Sequence, residues 1–192
     1  ARVARWDLLK AICFLAGFIT KWTIAHDKML YRVICWINSS VDLSLYAKVG
    51  DGIEKWNLGL WTDSDLASCT WTKRSTAGVL VGFTAPNTWA PINATAQKAT
   101  GSTAESTPCA ELVALHKGIR TDAMPLMALV SKIFKRRVNC LCFEDNETAI
   151  TAIKKGYSPT MRHLPRAYGI RLALLNELLC QNKDVKDGRP RE

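Results

Sequence analysis

The chain has 192 residues, 48% of them hydrophobic, which allows one sizeable packed domain with an appendage and excludes a chain disordered throughout. Its formal net charge of +9 suits a polyanionic partner such as nucleic acid, though charge says nothing about fold. Seven cysteines at irregular spacing, with no CxxC pair, argue against a disulfide framework or a zinc module and for reduced thiols in an intracellular compartment.

The chain opens mid-pattern on Ala1 and is expected to be a piece of a longer polypeptide. The apolar run "AICFLAGFI", bracketed by Lys10 and Lys21, is too short for a bilayer, and no cleavage site accompanies it, so no membrane partner is expected. Residues 6–38 read as two helices. Leu8, Leu9, Ile12, Leu15, Ala16 and Ile19 recur at helical spacing, as do Met29, Leu30, Val33, Ile34 and Ile37. A short strand in "LSLYAKV" is expected next, then a turn at "GDG", 50–52.

From residue 56 the texture changes. "NLGLWTD", "STAGVLVGF" and "TWAPINA" are short β-rich runs separated by turn formers, which predicts an antiparallel meander. "STPCAELVALHKGIR" predicts a helix with Thr107 as cap, Pro108 at its first position and a stripe of Leu112, Leu115 and Ile119. A helix over about 123–134 follows despite Pro125, then a strand in "RVNCLCFED", 137–145. Its Cys140 and Cys142 should share one face. A short helix closed by Gly156, a loop, a last helix over about 165–180 and a charged tail, expected to be disordered, complete the chain. The helical crossover into 137–145 favours parallel pairing there.

Two strands thus end on acids, at Asp63 and Asp145. As parallel neighbours they would bring both carboxylates to one sheet edge, where sites of open α/β sheets lie. Glu111, one turn into a helix beside its apolar stripe, is a third candidate. Clustered carboxylates repel one another unless a cation sits between them, and oxygen donors suit Mg²⁺, or Mn²⁺ as a substitute. Each acid also has a plain structural use. Asp63 could cap a turn, Asp145 with Asn146 could cap the helix near 147, and Glu111 could be a solvated first-turn acid.

"LWTDSDLASCTWTKRSTAGVLVGF" resembles the start of the ribonuclease H domain of copia-type LTR retrotransposon polyproteins, where a strand ends in Asp-x-Asp before an Arg-Ser-Thr-x-Gly hairpin, here Arg74 to Gly78. "STPCAELVAL" is similar to that family's helix with a catalytic glutamate, which maps to Glu111. "CFEDNETAITAIKKG" resembles its Asp-Asn-x-x-Ala-Ile segment and maps the third acid to Asp145. "MRHLPRAYGIRLALLNELL" resembles the entry to its final helix, and "HDKMLYRVICWINSSVDLSLY" the end of the preceding reverse transcriptase.

The resemblance covers roughly residues 5–180. It implies a mixed α/β fold of the ribonuclease H type, with three antiparallel strands and then parallel pairing, flanked by helices. Residues 1–50 would be the end of a reverse transcriptase, 56–180 the nuclease domain and 181–192 a tail. The implied activity is Mg²⁺-dependent hydrolysis of the RNA strand of an RNA–DNA hybrid, with Asp63, Glu111 and Asp145 holding the metal. Candidate substrate contacts are Lys73, Arg74, Thr76, Lys98 and Asn146, with Ser102 and the run Lys135 to Arg137 as further possibilities. Each could equally be a solvated or capping residue. Trp61, Trp71 and Trp89 read as packing residues rather than base-stacking platforms.

One departure stands out. The family carries a fourth acid after His-Ile, whereas here His163-Leu164 runs into Pro165, and no acid lies between Glu147 and Glu177. His163 would be a substitute ligand or proton shuttle, or else a loop histidine packing the helix start. A catalytically weakened domain that binds nucleic acid or scaffolds the polymerase is the first rival. A phosphatase using Asp63 as nucleophile is the second, disfavoured by the meander that follows Asp63.

Overall fold

The computed structural model describes residues 2–66, 75–98, 104–180, 185–186 and 189–190. After a short 3₁₀ turn, the lead-in forms α1 (Leu9–Ala16) and α2 (Ile24–Ser39). Thr23 and His26 form a reciprocal cap at the start of α2. Asp7 accepts from both the Arg5 guanidinium and the Trp36 indole, tying the first turn to α2. Leu8 and Leu15 are buried as their spacing requires, but α2 buries no residue, and its Met29, Leu30, Ile34 and Ile37 are exposed. Periodicity defines an apolar face without supplying what covers it.

The strand expected in 43–49 does not form. A single bridge joins Lys48 to Trp89, with N–H···O distances of 2.9 and 2.8 Å. The lead-in lies against the third strand. Ala94 N–H donates to Arg2 O at 2.9 Å, the Cys13 thiol donates to Ala96 O at 2.8 Å, and Trp6 meets Trp89 edge-on.

The centre of the molecule is an open four-stranded mixed sheet made of β1 (Asn57–Asp65), β2 (Thr76–Ala85), β3 (Thr88–Lys98) and β4 (Cys140–Phe143), in the order β3-β2-β1-β4. β1–β2 and β2–β3 are antiparallel, whereas β1–β4 is parallel. Leu58, Leu60, Thr62 and Ser64 alternate onto the buried face of β1. Cys140 and Cys142 do share a side of β4, with their sulfurs 4.0 Å apart.

Helix α3 (Thr107–Gly118) packs on that face. Its stripe of Leu112, Leu115 and Ile119 is buried as expected, and its cap is Ser106, one residue before the expected Thr107. Gly118 lets the helix approach closely, because a Cβ there would stand 3.2 Å from side-chain carbons of Thr62 and Val79. A π turn (Ile119–Ala123) leads straight into α4 (Met124–Ile133). Pro125 falls in the first turn of α4, where its missing N–H is accommodated by the irregular turn before it.

Helix α5 (Glu147–Lys155) ends on Gly156 at φ 73°, a left-handed cap. The single last helix expected over 165–180 is broken into α6 (Leu164–Tyr168) and α7 (Leu172–Leu179) by Gly169 at φ 67°. Asn176 on α7 donates to the carbonyls of Ile153 and Lys154, closing the end of α5. Beside β4 an apolar cavity of about 550 Å³ is bounded by Leu115, Met127, Cys140, Cys142, Ile153 and Leu178. In the tail, Val185–Lys186 pairs with Arg189–Pro190, and its other residues lie outside those described. Among the described residues no helix is long and apolar enough to cross a membrane.

Candidate functional site

β1 overruns its parallel neighbour. The last β1–β4 pair is Trp61↔Phe143, while β1 continues to Asp65 against β2. Asp63 therefore lies within a strand rather than at its end, opposite Gly78. The extension is held by Asp65, whose Oδ1 accepts the Thr76 N–H at 2.6 Å. Past Phe143, β4 gives way to Glu144 and Asp145, level with Thr62 and Asp63 if the parallel register is continued. Acids beyond the last β1–β4 pair therefore lie at this edge of the sheet.

Glu111 adds a further acid from α3. It is 3% exposed, so it is not a solvated first-turn acid. The Ser64 N–H donates to its carboxylate, yet its Oε2 is buried without a hydrogen-bond partner. Burial, then the like charges of Glu144 and Asp63, push the Glu111 carboxyl up to about 7. The Ser64 N–H opposes the shift, and Asp145 adds to it. Glu111 therefore interacts with both aspartates predicted to join it.

The sequence reading missed Glu144. This half-buried residue accepts from Thr62 Oγ1 at 3.3 Å and from Asn146 N–H at 3.2 Å. Its carboxyl is raised by burial. The bonds from Asn146 and Thr62 counter that shift, and Asp145 and Asp63 reinforce it. The signal for Glu144 was its adjacency to Asp145 on a strand aligned with the Thr62–Asp63 step.

Asp63 and Asp145 are exposed. Asp145 does not cap the following helix, because Asn146 does so, its Oδ1 accepting the Ala149 N–H at 3.0 Å. Among the described residues, no three His, Cys, Asp or Glu side chains are arranged as a ready metal-ligand group. The case for a hard cation is chemical: the like charges of Glu144, Asp63 and Asp145 act on Glu111, and one buried oxygen of that residue has no donor.

His163 is not drawn into the acid group. Its Nε2 lies 3.6 Å from Cys109 Sγ and its Nδ1 3.6 Å from Glu105 Oε2, with Tyr168 edge-on to the ring. Its position just before α6 turns it toward the start of α3, as a packing histidine. Arg136 is likewise no free phosphate contact. It donates to the carbonyls of Ile53, Trp56 and Arg137 and lies over the Phe134 ring. Thr76 opens β2, and the backbone of Lys98 pairs with it at the far end of β3. Lys73, Arg74, Trp71 and Ser102 lie outside the described residues. Trp61 stacks on Phe143 at 4.8 Å, in keeping with a packing role.

Compared with known proteins, the chain matches no family model, no curated protein and no solved structure.

Proposed function

We propose that this chain is a metal-dependent endonuclease of the ribonuclease H type, hydrolysing the RNA strand of RNA–DNA hybrids. The observation that carries the reading is Glu111. It is a buried carboxylate with an orphaned oxygen, set among Asp63, Asp145 and Glu144 at one sheet edge. Leaving such an oxygen unpaired is costly unless something positive completes it. The sheet order β3-β2-β1-β4, with one parallel pair, is compatible with a ribonuclease H-like fold.

Asp63, Glu111 and Asp145 would hold Mg²⁺, with Mn²⁺ as a substitute. When bound, the divalent ion supplies activation of the attacking water and neutralisation of charge on the leaving oxygen. The chain's own part is positioning. The Ser64 N–H fixes Glu111, the β1 extension fixes Asp63, and the Asn146 cap fixes the backbone after Asp145. Because Asn146 Oδ1 is committed to the cap, its Nδ2 hydrogens remain for a substrate oxygen.

The net charge of +9 supports a polyanionic substrate. Lys73, Arg74 and Lys98 are proposed to meet phosphates, and Thr76 to approach the backbone at the start of β2. Recognition of a hybrid would rest on phosphates and on RNA 2′-hydroxyls in the wide minor groove. In the parent polyprotein of a retrotransposon the natural neighbour would be the reverse transcriptase, the proposed origin of residues 1–50.

A second reading, a binding or scaffolding domain without hydrolysis, draws on the lack of a ready three-ligand group among the described residues. The antiparallel β2 directly after β1 disfavours the phosphatase reading, which calls for a helical crossover there. The test is incubation of the folded chain with a hybrid labelled on the RNA strand, in Mg²⁺ or Mn²⁺, beside duplex DNA and duplex RNA. Cleavage of the hybrid's RNA alone, abolished in Asp145→Asn, supports the nuclease. Hybrid binding without cleavage supports the scaffold.

A further inference from the structure

We propose that Cys140 and Cys142 form an oxidisable dithiol, a modification site at which β4 takes a reversible internal disulfide by exchange with a small disulfide of the glutathione type. The inference stands apart from the nuclease reading. Both side chains are half-buried on one side of β4, with their sulfurs 4.0 Å apart. They line the apolar cavity of about 550 Å³ beside that strand, so a small molecule in the cavity meets both sulfurs. Lys154 lines the same cavity and supplies a cation for the carboxylates of such a disulfide. The hydrogen bond between the thiols holds Cys140 below the ordinary thiol value, against the opposing effect of burial, and raises Cys142. Cys140 is thus the attacking sulfur and Cys142 the resolving one.

The exchange balances. The Cys140 thiolate attacks one sulfur of the small disulfide, forming a mixed disulfide and expelling one thiolate. Cys142 loses its proton and attacks the Cys140 sulfur, which closes the internal bond and expels the second thiolate. The protein thiols lose a pair of electrons, the small disulfide gains it, and both protons end on the released thiols. Alternate residues of a strand stand about 6.6 Å apart, near the upper limit of about 6.8 Å for the Cα atoms of a disulfide. Closing the sulfurs from 4.0 Å to about 2.05 Å therefore puckers the strand at Leu141. β4 can yield, because it has four residues and, among the described residues, pairs only with β1. A bond closed at that limit is easily reduced, as regulatory disulfides are. Past the pucker lie Phe143, stacked on Trp61, and Glu144, held by Thr62. Oxidation thereby loosens the β1–β4 edge, and reduction restores it.

The experiment incubates the full chain at a series of oxidised-to-reduced glutathione ratios, then quenches with acid, alkylates and digests with trypsin. Residues 138–154 form one tryptic peptide that carries Cys140 and Cys142 and no other cysteine. The expected product is that peptide unalkylated and lighter by two hydrogens, accepting two alkyl groups after dithiothreitol. Cys142→Ser should stop at a glutathione adduct on Cys140, and Cys140→Ser should react about tenfold more slowly than the parent. Cys180→Ser, whose thiol lines the same cavity, should close the bond as the parent does. Hydrogen exchange over 140–145 should rise by about tenfold in the oxidised parent, and not in Cys142→Ser treated alike. Where Cys142→Ser folds poorly, Cys142→Ala takes its place, and the parent's own peptide still decides the main outcome. No internal bond in 138–154 at any ratio, closure only in denaturant, or pairing of either thiol with Cys180 overturns the proposal. An internal bond with exchange over 140–145 unchanged overturns the loosening of the edge.

Discussion

Thr62 Oγ1 donates to Glu144 Oε2 at 3.3 Å, one step past the last paired residues of β1 and β4, Trp61 and Phe143. The bond extends the parallel pairing through side chains where the backbone ladder stops. It also holds Glu144 where its charge acts on Glu111. Thr62→Val keeps the shape of the buried side chain and removes the donor. Stability should fall by about 0.5–1.5 kcal/mol, read by urea denaturation.

The pH dependence of metal-free stability follows from Glu111. Its folded carboxyl titrates near 7 against an ordinary value of 4.5. Between these values the folded chain retains a proton that the unfolded chain has released, so stability falls as pH rises through the window. Glu111→Gln should flatten that fall and be more stable than the parent at pH 7.5 by about 1–3 kcal/mol. Mg²⁺ should raise the parent's melting temperature more at pH 7.5 than at pH 5.5, and leave the variant's unchanged. Melting curves across pH, with and without Mg²⁺, check all three outcomes.

Arg136 separates structural from substrate-binding basic residues. Its guanidinium bridges the carbonyls of Ile53 and Trp56 to the end of α4. Arg136→Ala should cost about 2–3 kcal/mol of stability, as charged hydrogen bonds do, with little change in hybrid affinity at a temperature where the variant is folded. Arg74→Ala should do the opposite. Affinity should drop across all hybrid sequences, and the slope of log K against log salt should lessen by about 1. Fluorescence anisotropy at several salt concentrations distinguishes the two.

Gly118 tests the seating of α3. A Cβ there would stand 3.2–3.3 Å from side-chain carbons of Thr62, Val79 and Leu60. Gly118→Val adds that Cβ and two methyl groups beyond it, and should destabilise by about 1–3 kcal/mol through overpacking. Because α3 also carries Glu111, a shift in its seating should lower cation affinity in parallel.

Much of this arrangement was legible in the sequence, for identifiable reasons. The stripe of Leu112, Leu115 and Ile119 marked the buried face of α3, and the strand-to-acid pattern marked Asp63 and Asp145. Glu144 was legible only as the neighbour of Asp145, because alternation says only that neighbours point opposite ways, and which face the helices cover is decided by tertiary packing. Asp63 read as a strand end because its carboxylate looked like a stop, yet Asp65 carries the strand on by capturing Thr76 N–H. His163 read as a possible site member from sequence order alone, but its direction depends on α6, which Gly169 cuts short. The periodicity of α2 was genuine, and its exposure depends on neighbours that periodicity does not specify.

The most direct measurement is anomalous scattering from crystals of the chain soaked in Mn²⁺. A cation site there requires a Mn²⁺ peak at the β1–β4 edge, within coordinating reach of Glu111 and Asp63. Mn²⁺ bound only elsewhere, or an empty edge with Glu111 Oε2 joined to a protein donor, would contradict it.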